Sequence, residues 1–443
     1  MPLKDKLGIA AWCYYDWANS AFTTIVITFV FATYFVSAVA PDPTIGAAQW
    51  GFAISASALV IAVLAPVLGA IADRGGRRKP WIILFTAVSV ILTGALWFVE
   101  PDPAFVLAAL IIVALANVGF ELGIVFYNAM LPDIAPAPII GRVSGWAWGL
   151  GYVGGLACLV FILGAFDTSN LDQVRLTSVF VAAWFGVFTL PLIIWTPDTP
   201  ARTISWRVAI EDGIRQLITT LRQVRGHGDI ARFLLARLFY NDGLVTLFAV
   251  GGIYAKTTFG MTTAEVLQFG VGINVTAGLG AFAFAWIDDW IGSKRTILIS
   301  LAGLIIVAAG VLSAETTLAF LIWGSALGIF VGPVQAASRS MMAHLAPPGL
   351  ETEMFGLFAF SGKATAFIGP FVFAAVTALV ATYEFNLVRR TTGGHATRTR
   401  RIGAYFGAVL LTTLVAGLAT APFALYHFNQ IALYGMLANF LAV

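Results

Sequence analysis

The stretch G-A-I-A-D-R-G-G-R-R-K, residues 69–79, joins two long apolar segments of the chain. A second stretch, A-W-I-D-D-W-I-G-S-K-R at residues 285–295, repeats its pattern of charge and glycine. Asp73 aligns with Asp289, and a glycine and a basic pair follow at matching positions in both copies. The copies follow the second and the eighth apolar segments, which predicts a chain built from two similar halves in parallel.

The composition indicates that lipid is the solvent for most of this chain. Of its 443 residues, 59% are hydrophobic and 11% are charged, whereas a soluble domain carries about 25% charged residues. In a bilayer each spanning segment must satisfy its own backbone polar groups, as helices and closed barrels do. Barrel strands alternate apolar and polar residues over about 10 positions. This chain has continuous apolar runs instead, so the predicted fold class is all-α integral membrane.

Hydropathy places about twelve helices of roughly 20 residues each, enough to cross the hydrocarbon core. The predicted spans lie at about residues 9–38, 48–72, 80–99, 104–130, 142–165, 174–195, 231–255, 264–290, 296–313, 317–343, 355–381 and 402–426. A polar stretch after the sixth span divides the chain into an N-terminal six-helix bundle (1–195), a cytoplasmic linker (196–230) and a C-terminal six-helix bundle (231–443). The linker contains an amphipathic segment, typical of a helix in the membrane interface.

Lysines and arginines favour the cytoplasmic side of a membrane. In a twelve-span arrangement the basic residues of the N-terminus, the repeated stretches and the linker fall on one side. This predicts cytoplasmic termini and, in a bacterium, a place in the inner membrane. Five arginines between spans eleven and twelve break the pattern: Arg389, Arg390, Arg398, Arg400 and Arg401. Either this segment binds acidic headgroups outside, or the number of spans near the C-terminus differs from the prediction.

The first copy of the repeated stretch resembles the loop motif of the major facilitator superfamily, G-x-L-A-D-R-x-G-R-K, with Ile71 in place of leucine. Gly69 lets two helices approach closely, and Asp73 at a helix end can meet a facing helix N-terminus or an arginine. The resemblance implies two pseudo-symmetric six-helix bundles, latched together on the cytoplasmic side by the motif. The implied gate residues are Gly69, Asp73, Arg74, Gly76, Arg77, Asp289, Gly292, Lys294 and Arg295.

Five further segments, in both halves, carry a narrower resemblance. They are Y-D-W-A-N-S-A-F at 15–22, F-Y-N-A-M-L-P-D-I-A at 126–135, G-R-V-S-G-W-A-W-G-L-G-Y-V-G-G at 141–155, Q-A-A-S-R-S at 335–340 and P-P-G-L-E-T-E-M-F-G-L-F-A-F-S-G-K at 347–363. Together they resemble the vacuolar effluxer family, the autophagy-related vacuolar permeases of yeast and their bacterial relatives. This resemblance implies export of small solutes, amino acids in the yeast members. The arginine-rich segment before span twelve departs from the family pattern.

Charged side chains inside apolar spans cost about 2.5–3.5 kcal/mol at the bilayer centre on insertion scales, and they are functional candidates by default. Asp16 lies within span one, Glu121 within span four and Asp242 within span seven. In the major facilitator family, spans one, four, seven and ten line the central cavity. The three carboxylates are the predicted carriers of a coupling proton, because desolvation favours the neutral form of a carboxyl group. The alternative is that buried charges pair only to lock helices together.

The predicted substrate cavity gathers polar and aromatic residues from these spans and from spans five and eleven. Its residues are Tyr15, Asn19, Asn117, Trp148, Tyr152, Tyr240, Asn241, Gln335, Arg339 and Lys363. Lys363, Arg237 and Arg339 are candidates to bind a substrate carboxylate or to keep the coupling carboxylate charged until substrate arrives. For Arg237 and Arg339 a structural role is favoured, since long side chains near helix ends reach toward the interface.

These observations predict a secondary active transporter that moves a small polar solute by alternating access. Proton-linked export of an amino acid is the leading hypothesis, because acids and bases in one cavity suit a zwitterion. Cation-coupled transport of a sugar or another organic solute is an alternative, since Asn, Gln and Trp suit a sugar equally well. Outside transport, the alternative is a transporter-like membrane receptor or regulator.

The sequence contains no H-E-x-x-H zinc pair, no G-x-S-x-G elbow and no P-loop, so we expect no enzyme activity, cofactor or metal. The expected partners are a small-molecule substrate and membrane lipid. Nucleic acid is not expected, because the chain has no basic block suited to it. The chain is expected to act as a monomer.

Overall fold

The computed structural model describes residues 3–202, 205–222 and 228–364 of the chain. The regular structure in these ranges is helical, and they contain no strand. The described residues fall into two compact units, a larger one of Met1–Tyr240 and Leu267–Lys363 and a smaller one that includes Asn241–Val266. The contacts reported below lie within the larger unit.

Six long helices form the first half of the chain. They are α1 at Leu3–Ala21, α2 at Pro43–Gly75, α3 at Lys79–Ala95, α4 at Val106–Ala129, α5 at Ile140–Ala165 and α6 at Leu171–Trp195. Short helical turns connect or extend them at Phe31–Tyr34, Leu96–Phe98, Pro103–Phe105, Leu131–Ile134 and Ala137–Ile139.

The linker helix at Trp206–Arg222 leads to the second half. The helices there are α7 at Gly228–Phe259, α8 at Thr263–Ile291, α9 at Ser293–Leu312, α10 at Thr317–Leu345 and α11, described over residues 351–364. In the described part of the chain, nine segments are long and apolar enough to cross a membrane. The predicted all-α membrane architecture is therefore confirmed.

The number of twelve spans stays a prediction. The segment predicted as span seven forms α7, which is not among the nine. Span eleven is described only in part, as α11. Span twelve and the arginine-rich segment at 389–401 lie outside the described residues.

The first predicted span does not continue as a uniform α-helix. After α1 the chain forms π-helical turns at Phe22–Phe29 and Phe35–Val39. Residues 23–28, T-T-I-V-I-T, are all β-branched, and such side chains crowd the preceding turn of an α-helix. The Val30 N–H donates to the Ile25 carbonyl at 2.9 Å, the five-residue step of a π-helix. The wider winding relieves this crowding.

Polar side chains start two of the long helices. The Asn170 side chain accepts hydrogen bonds from the N–H groups of Asp172 and Gln173, at 3.0 and 3.4 Å, where α6 begins. The Thr316 hydroxyl accepts from the Ala319 N–H at 3.2 Å at the start of α10. Capping of this kind satisfies backbone donors that the first helical turn leaves without partners.

Glycines on α5 bring this helix into backbone contact with both halves. A Cβ atom at Gly154 would lie 2.5 Å from the carbonyl oxygen of Trp17 on α1. A Cβ atom at Gly145 would lie 2.5 Å from the Cβ atom of Ala285 on α8. Small residues at such crossings let helices approach until their backbones touch. α5 therefore fixes the position of α1, which carries Asp16.

We expect Gly154→Ala to destabilise the protein, because the new methyl group must displace the α1 backbone. Overpacking of this kind costs about 1–3 kcal/mol, which should lower the apparent Tm of the purified protein in detergent. Gly164→Ala is the matched control on the same helix, since nothing lies within 4 Å of its added Cβ. Equal melting temperatures for the two variants would contradict the close contact of α5 with α1.

Candidate functional site

A buried ion pair joins α10 of the second half to α1 of the first. Nη1 of Arg339 lies 2.9 Å from Oδ2 of Asp16 and 3.3 Å from Oδ1 of Asn128. Its Nε donates to the Ser144 hydroxyl at 2.9 Å, and its Nη2 donates to the Ser144 carbonyl at 2.7 Å. Asn19, one turn from Asp16, donates to Oδ1 of that carboxylate at 3.2 Å. The guanidinium thus forms hydrogen bonds to residues on three helices of the first half, α1, α4 and α5.

Aromatic rings enclose this ion pair. The Arg339 guanidinium lies 4.9 Å from the ring centre of Trp12, 5.6 Å from that of Tyr127 and 5.7 Å from that of Trp148. Such contacts stabilise a cation electrostatically, more so where water is excluded. The residue is only 3% exposed. The expectation that Arg339 reaches toward the interface is therefore wrong, because its charge is satisfied inside the protein.

Arg237 is also buried, within the second half. Its Nη1 donates to the Phe358 carbonyl at 2.7 Å and to the Ser361 hydroxyl at 3.0 Å. Its guanidinium lies 3.5 Å from the centre of the Phe358 ring. Arg237 therefore ties α7 to α11, which corrects the expectation that it reaches toward the interface.

A second ion pair crosses between the halves in a more open place. Nζ of Lys363 on α11 lies 2.6 Å from Oε1 of Glu121 on α4. The Lys363 side chain is 30% exposed and that of Glu121 is 21% exposed, against 4% for Arg339 and 10% for Asp16. Among the described residues one hydrogen bond joins this pair, so fewer bonds break when it opens than when Arg339 leaves Asp16, Asn128 and Ser144.

Two of the predicted cavity residues bond within the first half instead of facing these pairs. The Tyr15 hydroxyl lies 2.7 Å from the Thr86 hydroxyl on α3, and Tyr15 is 1% exposed. The Asn117 side chain donates to the Ser57 hydroxyl on α2 at 2.8 Å. Sequence spacing placed both on apolar spans but did not reveal which neighbour each would bond.

The other predicted cavity residues lie on α5, α7 and α10. Trp148 and Tyr152 are half-buried on α5 with ring centres 6.1 Å apart. The Tyr240 hydroxyl lies 2.7 Å from that of Ser338 on α10. Gln335 is half-buried on α10, one turn before Arg339. Asn241 and Asp242 belong to the smaller unit, where the first is buried and the second half-buried.

The repeated stretches lie at one end of the described helices, here called the motif end (residues 69–79 and 285–295). There the Asp73 carboxylate accepts hydrogen bonds from the backbone N–H groups of Thr352 and Glu353, at 3.1 and 2.8 Å. A Cβ atom at Gly69 would lie 2.4 Å from the Thr352 carbonyl. Asp73 therefore caps α11 of the second half, and Gly69 allows the approach. A carboxylate is favourable at a helix N-terminus.

Arg78 strengthens this contact, whereas the loop motif predicted a gate role for Arg77. The Arg78 guanidinium donates to the Thr352 hydroxyl at 3.0 Å and to Oε2 of Glu351 at 2.9 Å, and it also pairs with Asp133. Arg78 is 4% exposed, whereas Arg77 is exposed. Adjacent arginines look alike in sequence, and only the direction of the chain at the end of α2 decides which one turns inward.

The polypeptide after α6 holds the first loop of the motif end in place. The Asp198 carboxylate accepts from the backbone N–H groups of Arg78 and Lys79, at 3.0 and 3.3 Å, and so caps α3. Nη2 of Arg74 donates to Gln216 of the linker helix at 2.8 Å. Gly76 has a φ of +84°, a left-handed conformation that glycine adopts without strain.

The second copy makes the pseudo-symmetric contact. The Asp289 carboxylate accepts from the backbone N–H of Arg142 at 3.2 Å and from its Nε at 2.6 Å. Each motif aspartate therefore meets the start of a helix in the opposite half, α11 for Asp73 and α5 for Asp289. Lys294 and Arg295 are exposed, and Gly292 forms the turn before them with a φ of +88°.

No cluster of three or more histidine, cysteine, aspartate or glutamate side chains suited to a metal ion occurs in the described ranges. The candidate site consists of the ion pairs of Arg339 with Asp16 and of Lys363 with Glu121, their aromatic surroundings and the contacts at the motif end. Charged groups of both signs in this arrangement can bind a polar solute.

Solved structures with the same fold define the class of protein. The human organic anion transporter MFSD10 (TETRAN) has a TM-score of 0.62 at 15% identity, covering 96% of this chain and 100% of that one. The proton:xylose symporter XylE has a TM-score of 0.64 at 16% identity, covering 96% of both chains. The XylE structure is described as a major facilitator superfamily protein, so this chain has the major facilitator fold. With its long apolar helices, it is a multi-pass membrane protein.

The sequence places the chain more narrowly. Residues 48–388 match the family described as vacuole effluxer Atg22 like, and the chain belongs to this family. It is 29% identical over 393 residues to the uncharacterized MFS-type transporter YxiO of Bacillus subtilis, covering 85% of this chain and 91% of YxiO. It is 24% identical to autophagy-related protein 22 of Coccidioides immitis, covering 74% of this chain and 67% of that protein. The predicted resemblance is confirmed, and the chain is a transporter, not an enzyme.

We expect Arg339→Lys to destabilise the protein even though it keeps the positive charge. A lysine ammonium cannot bond Asp16, Asn128 and Ser144 together as the planar guanidinium does. Each buried acceptor left without a donor costs about 1–3 kcal/mol. The apparent Tm in detergent should fall by several degrees, while Arg207→Lys, at a side chain 89% exposed, should leave it unchanged. A stable Arg339→Lys variant would contradict the enclosed network.

Proposed function

We propose that the chain exports a small zwitterionic solute, with an amino acid as the first candidate, in exchange for a proton. The ion pair of Glu121 with Lys363 carries this proposal. It joins α4 to α11 across the two halves, one 2.6 Å hydrogen bond between described residues holds it, and both side chains are more exposed than those of Arg339 and Asp16. Water and solute reach such a pair more readily than an enclosed one.

The charges of this pair match those of an amino acid. The Lys363 ammonium binds the solute carboxylate, and the Glu121 carboxylate binds the solute ammonium group. Trp148 and Tyr152 offer ring faces of the kind that also attract a cation. The Glu121 carboxylate accepts either the solute ammonium or a proton, and the two occupants exclude each other. Exit of solute and entry of a proton then alternate, which is the stoichiometric basis of exchange.

Asp16 is the weaker candidate for the coupling proton. Protonation of Asp16 would leave the Arg339 guanidinium buried without its anion, and breaking one side of a buried ion pair costs about 3–5 kcal/mol. Asp16 and Arg339 are better suited to hold α1 and α10 together in one conformation. Asp242 stays a candidate from the sequence alone.

Alternating access requires the contacts at the motif end to form and break. We propose that this end faces the cytoplasm, as both termini do, and that Asp73 and Asp289 latch it closed. The proposal keeps the predicted division into bundles at 1–195 and 231–443, with the linker at 196–230 between them. We propose that the chain acts as a monomer.

The proposed exchange is tested with purified protein in liposomes. We expect an imposed proton gradient to drive amino acids in the opposite direction, and Glu121→Gln to abolish that drive, because the amide cannot carry the proton. Glu315→Gln is the matched control, at an exposed carboxylate between α9 and α10. Proton-driven transport that survives Glu121→Gln would remove Glu121 from the mechanism. If folded, oriented wild-type protein moves no amino acid, the solute assignment fails and sugars are tested next.

We expect Asp73→Asn to open the motif end. Thr352 and Glu353 each donate to a different carboxylate oxygen, so the amide NH₂ group would face one of these two backbone donors in place of an acceptor. Spin labels at Arg77→Cys and Pro348→Cys, both exposed positions, report the separation of the halves by double electron–electron resonance. The longer distance should gain population in Asp73→Asn and not in Glu100→Gln, an exposed carboxylate elsewhere. Identical distance distributions would argue against the latch.

A further inference from the structure

Asp288 is a buried carboxyl group that the transport site described above does not use. It precedes Asp289 in the second copy of the repeat, where the first copy has Ala72. Asp288 is 5% exposed and Ala72 is 1% exposed. Both copies of the repeat have a buried residue at this position, but only in the second copy is that residue titratable.

Among the described residues, hydroxyl groups and no cation contact this carboxyl. The Ser340 hydroxyl is hydrogen-bonded to Oδ2 of Asp288. Ser340 also lies 3.0 Å from the hydroxyl of Ser293 and 3.1 Å from the carbonyl of Ala337. Oδ1 of Asp288 has no hydrogen-bond partner in the described part of the chain, and no ion pair with Asp288 is formed there.

The charged groups around Asp288 are engaged elsewhere. Arg142, at the start of α5, pairs with the neighbouring Asp289 at 2.6 Å. On α10, His344 places Nδ1 2.8 Å from the Ser340 carbonyl and Nε2 3.3 Å from the Ala137 carbonyl. On α9, Lys294 and Arg295 are exposed. Among the described residues of α5, α9 and α10, His344 is near enough to attract the Asp288 charge, but no basic group forms an ion pair with this carboxyl.

α5 covers the carboxyl when the motif end is closed. A Cβ atom at Gly141 would lie 2.7 Å from Oδ2 of Asp288 and 2.8 Å from its Cβ atom. The absence of a side chain at Gly141 is what allows the α5 backbone to lie over this group. Separation of α5 from α8 would admit water to the same carboxyl.

The neutral form of Asp288 fits these surroundings and the ionised form does not. A buried carboxylate without a cation costs several kcal/mol, so such a group neutralises instead. A protonated Oδ2 can donate to the Ser340 hydroxyl, which in turn donates to the Ala337 carbonyl. We infer that Asp288 is a proton-binding site that is occupied while α5 covers it and that releases its proton when the motif end opens.

The direction of the pH effect follows from linkage. A proton bound only in the closed conformation stabilises that conformation at low pH, and the open conformation gains population as the pH rises. One linked proton changes the ratio of closed to open protein by at most about tenfold for each pH unit. A His344 ring that is protonated on both nitrogens would also favour the closed conformation at low pH. Its contribution must therefore be removed in the test.

This inference rests on the proposed opening of the motif end, but not on the proposed solute or on Glu121. The first test is infrared spectroscopy of the substrate-free protein. Asp288→Asn should remove one C=O stretching band of a protonated carboxyl group, and Asp289→Asn should not, because Asp289 is paired with Arg142. If Asp288→Asn removes no such band, Asp288 is not protonated and the inference fails.

The second test measures the opening itself in the His344→Gln background. Spin labels at Pro138→Cys and Lys294→Cys, exposed on either side of the contact between α5 and α8, report their separation. We expect the longer distance to gain population with rising pH, and Asp288→Asn to stay closed throughout. A pH response that persists in Asp288→Asn would overturn the inference. A protein that moves no amino acid but shows both effects would refute only the proposed solute.

Discussion

A guanidinium group buried among membrane helices must find its acceptors inside the protein, and Arg339 finds them on three helices of the opposite half. Its bonds to Asp16, Asn128 and Ser144 fix α1, α4 and α5 against α10. The aromatic rings around it keep water away, which strengthens each of these interactions. This one side chain therefore contributes strongly to the relative position of α10 and these three helices.

The ion pair of Lys363 with Glu121 differs from that of Arg339 with Asp16 in a way that suits movement. Lys363 and Glu121 share one hydrogen bond, and neither is enclosed. A transporter needs some contacts that persist and others that exchange partners with solute and proton. A contact persists when many hydrogen bonds must break together and water cannot reach its charges. A contact exchanges partners when few hydrogen bonds hold it and water reaches its charges. By that measure the pair of Arg339 and Asp16 suits a fixed support, and the pair of Lys363 and Glu121 suits the exchangeable role proposed for it.

The two copies of the repeated stretch make the same kind of contact at the motif end, but different residues lie beside it. Asp73 and Asp289 each receive a backbone N–H group at the start of a helix in the opposite half. A negative charge is favoured there because it meets the positive end of the helix dipole. The first copy adds the buried Arg78, which brings Asp133 and Glu351 together. The second copy adds a buried carboxyl, Asp288, where the first has Ala72. The two copies of the repeated stretch are therefore chemically different, although they lie at corresponding places in the fold.

The sequence by itself determined the membrane class, the family and the set of charges worth examining. These properties are local: hydropathy is summed along one segment, and a motif is a run of adjacent residues. Only the tertiary structure decided that Asp16 meets Arg339 and that Glu121 meets Lys363, pairs that lie 323 and 242 residues apart in the chain. It also decided that Arg78 and not Arg77 turns inward, and that Tyr15 and Asn117 bond inside the first half. Such pairings depend on how helices distant in sequence pack, and no local pattern of residues encodes that packing.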